Sequence, residues 1–432
     1  MAERSVLPGK NRRRAVGRRS RPGRTPPVSG LGGQAAAGGG AHPGGPDGAA
    51  PAAADVAQEE GTAQATAAFR PPDPATVVPP PDQLEGADGA GGLSFVPVPP
   101  PDESGPAAAA VEVAPAEVEF CPACGATEAR LLFVATDRLF RTTQELFQVV
   151  ECRSCRLIRL APRPRPNQVW RYYPREYWYV PGADITSRLI ELYRRIVLRD
   201  HVRFVERVLA CCGASGIVLD VGCGGGLFLR LLKERGHRVV GIDFSLAAAG
   251  VAWEHNGVPA FCGSLSQAPL PAASCAAVTM FHVLEHLYDP TEYLRAAHTL
   301  LHPNGRLIVQ VPNAASWQFL LFGEHWRGLE VPRHLWNFRP QDLEILLDRC
   351  GFEVVRVKHF SLRDNPACLA TSLAPGLDPT VRRIRMVEES PRAAIVKTAA
   401  YFALVAACVP FALLEAACRA GGTVMMEARK KP

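Results

Sequence analysis

Two cysteine pairs and one glycine-rich turn flanked by acids are the parts of this 432-residue chain best suited to chemistry. Cys121-Pro-Ala-Cys124 and Cys152-Arg-Ser-Cys155 are two C-x-x-C turns separated by residues 125–151. Each turn can offer two thiolates to one ion. Two such turns make a closed tetrahedral four-thiolate site, the geometry of structural zinc. A closed site has no open coordination position, so folding rather than catalysis is its expected role. Residues 131–150 are expected to form a hairpin between the turns. A redox role is disfavoured, because neither pair opens a βαβ unit. The other nine of the 13 cysteines are scattered, several in apolar runs, which suits a reducing compartment.

The glycine-rich stretch is Val218-Leu219-Asp220-Val221-Gly222-Cys223-Gly224-Gly225-Gly226. It follows an apolar strand and opens a helix. Gly222, Gly224 and Gly226 let the backbone turn tightly and approach a ligand where a side chain would clash. Amide groups at the new helix start then face that ligand. The spacing is G-x-G-x-G rather than the dinucleotide G-x-G-x-x-G, and Asp220 sits two residues before the first glycine. A carboxylate there repels a pyrophosphate and suits a cationic amine or sulfonium. S-adenosylmethionine is therefore preferred over NAD. Asp243 ends the next strand 21 residues after Gly222, where an acid can hold both ribose hydroxyls. Phe244 is placed to pack on the adenine, and Ser264 and Leu265 to flank its edge.

Candidate proton acceptors lie in Phe281-His282-Val283-Leu284-Glu285-His286, just after a further strand. Spacing i, i+3, i+4 would put His282, Glu285 and His286 on one helical face. A base, a divalent ion and a structural cluster are all open for them. A second cluster is Glu324-His325-Trp326 with Pro332-Arg333-His334-Leu335-Trp336-Asn337-Phe338. It is expected to form a lid over the acceptor, with His334 as a base or as part of a loop pinned by its aromatics.

Elements that would position these groups can be read from periodicity. A helix is expected over 184–210. Strands are expected at 216–220, 238–242, 258–261, 276–281, 305–311 and 352–359, alternating with helices at 227–235, 245–254, 290–301 and 340–350. Such alternation implies an α/β fold, a mostly parallel sheet with helices on both faces. Residues 422–429 read as a final strand.

"LDVGCGGG", "VVGIDFS", "VTMFHVLEHLYDP" and "LHPNGRLIVQVPN" resemble successive motifs of class I S-adenosylmethionine-dependent methyltransferases, over about 215–360. The resemblance implies a Rossmann-like, doubly wound, seven-stranded sheet whose last strand is antiparallel. It also implies cofactor contacts from Asp220, Gly222, Gly224, Asp243, Phe244, Ser264, Leu265 and Phe281. The region 282–286 resembles the E-x-x-E-H pattern of ubiquinone-type O-methyltransferases, which bind a divalent ion; His282 stands where that pattern has its first Glu. The cysteine unit followed by Ala161-Pro162-Arg163-Pro164 resembles a zinc-ribbon module found ahead of some of these enzymes, including sugar methyltransferases.

The expected domains are a disordered tail at 1–118, the cysteine module at 119–165, a helical linker or substrate cap at 166–214, and the methyltransferase domain at 215–432. The tail is rich in Pro, Gly and Ala and cannot bury enough apolar surface to fold. Nine basic residues and one acid fall within 1–24, so the remainder of a chain of net charge +6 carries −2. That balance disfavours a nucleic-acid-binding body. No secretory or mitochondrial leader is read, and a cytoplasmic location is expected.

Residues 398–414 carry no charge, although Ala dominates and Pro410 interrupts. A helical hairpin or bent helix is expected at about 393–420, inserted before the last strand. It would serve core packing, a homodimer contact or peripheral docking at the inner membrane face. The leading reading is a methyltransferase acting on a small-molecule, sugar or lipid-linked acceptor. The alternatives are an NAD-dependent oxidoreductase and a zinc-based nucleic-acid-binding protein.

Overall fold

The computed structural model describes residues 120–432 apart from 181 and 183. All of these belong to the second of two compact units, Ser104–Pro432. The expected tail at 1–118 lies outside the described residues.

The chain starts with β1 (Ala129–Ala135), β2 (Phe147–Cys152) and β3 (Ile158–Ala161), an antiparallel meander. β1 and β2 form the hairpin expected between the cysteine turns. Helix α1 (Ile185–Cys212) follows; Asp184 caps its start and Gly213, in the left-handed region at φ 61°, ends it.

Then comes the alternation: β4 (Ile217–Val221), α2 (Leu227–Lys233), β5 (Val239–Asp243), α3 (Leu246–Glu254), β6 (Ala260–Cys262), β7 (Cys275–Phe281), α4 (Pro290–Leu300) and β8 (Leu301–Pro312). Ser245 and Asp289 cap α3 and α4 through their side chains. After β8 come α5 (Trp317–Phe322), β9 (Trp336–Asn337), α6 (Pro340–Arg349) and β10 (Phe352–Lys358). The last elements are α7 (Asn365–Leu373), α8 (Pro379–Ile384), α9 (Pro391–Ala417) and β11 (Thr423–Lys430).

The main sheet has the order β10-β11-β8-β7-β4-β5-β6. Strands β4 to β8 run parallel, and β11 lies antiparallel between β8 and β10. Its central strands are apolar runs because both faces are covered: every residue of β7 is buried. Chain order reverses at β4, so the crevice above the C-terminal ends of β4 and β7 is where such a sheet holds ligands.

The cysteine module is not a separate bead. Its sheet has a fourth strand, β9, taken from the methyltransferase region, with Ile158 paired to Asn337 and Arg159 to Trp336. Between β10 and β11 the inserted segment is wider than 393–420, because α7 and α8 belong to it. Where a hairpin or bent helix was expected, one 27-residue helix forms with Pro410 inside it. Tyr401, Val405 and Cys408 pack one stripe of α9 against Leu369 and Ala370 of α7, which holds the helix along its length.

Candidate active site

The glycine turn lies at the C-terminal end of β4, as its position after an apolar strand requires. Gly222 sits at φ 73°, and a Cβ there would meet Val283 Cγ2 at 2.7 Å. Gly226, at φ 75°, has no room either, but its neighbour is Ala252 of α3 at 2.9 Å. Gly222 thus lets the turn pack against the loop after β7, and Gly226 lets it pack against α3.

Asp243 holds the turn from the next strand: Gly224 N–H donates to its Oδ2 and Ser245 N–H to its Oδ1, each at 2.9 Å. Asp220 is 5% exposed and accepts a 2.5 Å hydrogen bond from Thr279 Oγ1. Burial pushes Asp220 up to about 7, and Asp243 adds to the rise. Asp243 is also raised, by burial. A buried carboxylate with a hydroxyl as its one partner is electrostatically incomplete until a cation approaches it. The turn therefore fits a nucleoside carrying a cationic amine and sulfonium.

Asp220, Gly222, Gly224, Asp243, Phe244, Phe281, His282, His286 and His334 line one cavity of about 550 Å³. Phe244 is exposed at 63%, and Tyr173 and Trp178 each meet it edge-on with ring centroids 5.6 Å apart. Ser264 and Leu265 lie outside the cavity lining. Leu265 is buried in the core, so its side chain is unavailable to a ligand. Ser264 Oγ lies 3.1 Å from Ser266 Oγ.

His282, Glu285 and His286 do not share the helical face that their spacing suggested. Leu284–His286 is a single 3-10 turn, and His282 precedes it at φ 59°. No helical face joins them, because the chain must reverse sharply on leaving β7. His282 Nδ1 lies 3.2 Å from Glu285 Oε1. Its Nε2 lies 2.9 Å from Gln310 Nε2 and 3.4 Å from Asp364 Oδ1. Burial alone would lower His282, but Asp364 and Glu285 outweigh it and raise the ring to about 9. Both nitrogens are occupied.

His286 Nδ1 contacts Tyr173 Oη at 3.0 Å and the Arg333 carbonyl at 3.1 Å. Burial lowers His286, leaving it neutral. With Nδ1–H donated to the carbonyl, the lone pair falls on Nε2. His334 is buried, donates Nδ1–H to the Gly328 carbonyl at 2.8 Å, and is lowered to about 3 by burial and by His286.

The expected lid is a buried plug. Trp326, Leu329, Arg333, Leu335 and Trp336 are all buried. Leu335 N–H donates to the Glu285 carbonyl, and Leu160 N–H donates to the Leu335 carbonyl. Exposed Glu324 and His325 stand apart from the histidines, at a separate small surface depression.

Two sets of side chains could hold a metal. Cys121, Cys124, Cys152 and Cys155 bring their sulfurs within 4.8 Å of one another, with closest pairs at 3.6 Å. A tetrahedral ion with Zn–S near 2.3 Å separates its sulfurs by about 3.8 Å, so the set fits zinc. Glu285, His286 and His334 also offer three ligand atoms within 4.8 Å. Glu285 Oε2 there is buried without a partner.

Several site residues gave no signal in the sequence. Tyr173, Tyr177 and Trp178 come from the linker, Gln310 from near the C-terminal end of β8, and Asp364 from the loop after β10. Only the aromatic density of 172–179 could have drawn attention to any of them.

A seven-stranded sheet of this order, with a glycine turn and paired acids at its switch point, defines a class I methyltransferase architecture. Residues 192–357 match a family model described as a methyltransferase domain. The ubiquinone biosynthesis O-methyltransferase of Pseudomonas aeruginosa is 30% identical over 220 residues, covering 48% of this chain and 88% of that protein. Its Marinobacter nauticus counterpart is 33% identical over 185 residues, 40% of this chain and 76% of that protein. A probable S-adenosylmethionine-dependent methyltransferase of Mycolicibacterium smegmatis is 31% identical over 160 residues, 36% of this chain; the chain spans 59% of its length. The chain belongs to the S-adenosylmethionine-dependent methyltransferase family.

Proposed function

We propose that this chain transfers the methyl group of S-adenosylmethionine to a small-molecule, sugar or lipid-linked acceptor. One observation carries the reading: the Asp220 and Asp243 turn and a neutral histidine, His286, open on the same cavity. Bound S-adenosylmethionine supplies a methyl group already made electrophilic by its sulfonium. The residues then have to hold the reactants in line and remove a proton. Asp220 faces the cofactor's cationic end, Asp243 its ribose, and Phe244 its adenine, with Gly222 and Gly224 beneath. His286 Nε2 takes the acceptor's proton. Tyr173 and the Arg333 carbonyl fix its ring, His282 carries the nearby positive charge, and His334 stays neutral beside it. The ubiquinone O-methyltransferases among the relatives support a small-molecule acceptor. The test is calorimetric binding of S-adenosylhomocysteine, followed by transfer of labelled methyl into a cell extract. Absence of both would refute the reading, and stabilisation by NADH alone would favour an oxidoreductase.

A second reading concerns the same histidine. The unpartnered Glu285 Oε2 favours a divalent ion held by Glu285, His286 and His334, which would supply a Lewis acid at the acceptor. Methyl transfer stimulated by added Mg²⁺ or Zn²⁺ and abolished by Glu285→Gln distinguishes it from a histidine base.

The four-cysteine set is proposed to hold structural zinc. Peripheral membrane contact is proposed for the outer face of α9, where Val396, Leu413 and Leu414 are at least half exposed beside Leu320 and Leu321 of α5. Exposed Arg392 and Arg419 flank the helix, as they would on anionic lipid. The thirteen free cysteines suit the cytoplasm.

A further inference from the structure

One side of the cavity holds polar donors that the cofactor turn does not use. Ile190, Tyr193, Arg194, Val197 and Leu198 face it at i, i+3, i+4, i+7 and i+8, a single stripe of α1. The Tyr193 ring stacks on Phe402 of α9, centroids 4.7 Å apart at 29°, which fixes the phenol. Its hydroxyl is buried and has no hydrogen-bond partner. An orphaned buried hydroxyl costs about 1–3 kcal/mol, so a missing ligand is its natural complement. Arg194 lies over the Tyr179 ring at 4.5 Å and reaches Glu191 at 3.3 Å. Arg363 enters from the loop after β10, with Nε 3.4 Å from Asp364 Oδ1.

Each guanidinium has five donors and is only lightly used here. Burial lowers Arg194, and the charges of Arg363 and Arg383 push it further down, so the arginines crowd one another. Arg383 also lies over the Tyr179 ring, at 4.9 Å. The acids facing them are Glu191, Asp364, Asp378 and, across the cavity from Arg363, Asp220. Asp364 is shared with His282, and Asp378 caps α8.

We propose that Tyr193, Arg194 and Arg363 form a binding site for an oxyanion of the acceptor, a phosphate or a carboxylate. This rests on the methyltransferase reading and names the class of acceptor it serves. The neighbours of the site, Thr371, Asp378, Tyr401 and Phe402, come from the inserted helices rather than from the glycine turn. An anion held there leaves the rest of the acceptor in the cavity that His286 shares. Planar guanidinium donors and a phenol suit the several oxygens of such a group.

The test is titration of inorganic pyrophosphate into the full chain saturated with S-adenosylhomocysteine, at low salt. The expected result is saturable binding, weakened at least about tenfold by Arg194→Gln and by Arg363→Gln and several-fold by Tyr193→Phe. Affinity for S-adenosylhomocysteine should stay within about twofold, which also shows that the variants fold. Lack of pyrophosphate binding by the loaded wild type would overturn the proposal. So would a parallel loss of S-adenosylhomocysteine affinity in the arginine variants, which would assign them to the cofactor's own carboxylate. A wild type that takes pyrophosphate but no S-adenosylhomocysteine would overturn the methyltransferase reading and leave the anion site standing.

Discussion

The guanidinium of Arg333 and the carboxylate of Asp137 meet as a bidentate pair with no solvent exposure on either side chain, Nη2 to Oδ1 at 2.8 Å and Nη1 to Oδ2 at 3.0 Å. Asp137 belongs to the cysteine module and Arg333 to the plug beneath the histidines. Arg333 Nη1 also donates to the Tyr172 carbonyl at 3.0 Å and Nε to Glu330 Oε1 at 3.1 Å, and Phe140 lies under the guanidinium. Because the Arg333 carbonyl faces His286 Nδ1, this one residue joins the module to the candidate base.

Breaking that pair should be costly. Arg333→Ala leaves Asp137 buried without its cation and Glu330 with Arg327 alone, and a loss of about 3–5 kcal/mol is expected in urea denaturation. The pair also sets an acid limit. Burial alone would raise Asp137 and Glu330, but Arg333, and Arg327 beside Glu330, hold both below the usual carboxylate range. Their stabilisation is complete above the unfolded values near 4 and is lost as pH falls below them. Melting temperature should drop steeply below about pH 4 in wild type and less steeply in Arg333→Met. Equal acid profiles for the two would exclude the pair as the cause.

Asp220 makes the opposite prediction. Its folded value, raised to about 7, means that the empty chain loses stability as pH climbs from about 4 through 7. Asp220→Asn removes that penalty and should raise the stability of the ligand-free chain at pH 8 by about 1–3 kcal/mol. The same change should weaken S-adenosylmethionine binding, because the carboxylate that meets its cationic end is gone. In wild type, affinity should increase as pH rises through about 7, with proton release on binding. Calorimetry in buffers of different ionisation enthalpy measures that release. Proton uptake, or pH-independent affinity, would count against Asp220 as the cation's partner.

The cofactor turn was legible because its parts are contiguous. Gly222, Gly224 and the two acids follow from one strand–turn–helix and the next strand end, and local pattern suffices for both. The histidine region was legible in position but not in geometry. Nothing in Phe281-His282-Val283 announces the positive φ at His282 that turns its ring towards Asp364. The plug was misread as a lid because its partners are distant: Asp137 precedes Arg333 by 196 residues, and no periodicity links them. Strand β9 is two residues long, so no alternation could mark it as the fourth strand of the module. Tyr193 and Arg194 fall inside the helix expected over 184–210, and their shared exposure to a cavity appears only once α7 to α9 are in place.

The four-cysteine set should hold one zinc per chain, and its removal should be felt at the histidines. Structural zinc contributes folding energy directly, so purified protein should carry the metal by elemental analysis. A strong chelator, or Cys124→Ser with Cys155→Ser, should lower the melting temperature and loosen the 136–142 loop that presents Asp137. Amide exchange would then rise at 329–335 as well as in the module, because Arg333 loses its anchor. Increased exchange confined to 120–160 would show that the two regions are energetically separate.

Helix α9 gives the last prediction. Among the described residues it is the one helix long and apolar enough to cross a membrane by length and composition, with mean hydropathy 1.9 over its most apolar stretch, yet only 28% of that stretch is buried. A spanning role conflicts with the packing. Glu415 near its end accepts a hydrogen bond from Gln318 and another from Gly422 N–H, and β11 follows shortly after, inserted in the sheet between β8 and β10. The helix is therefore tied to the fold along one side and free along the other, an arrangement suited to lying in a lipid interface. Vesicles containing anionic lipid should carry the full chain in flotation. Leu320→Gln, Leu413→Gln and Leu414→Gln together should reduce the bound fraction several-fold, since each buried leucine contributes about 1.5–3 kcal/mol. Affinity for S-adenosylhomocysteine should not change, because none of the three lines the cavity. A chain that ignores vesicles but dimerises through the same leucines would make α9 a protein contact instead.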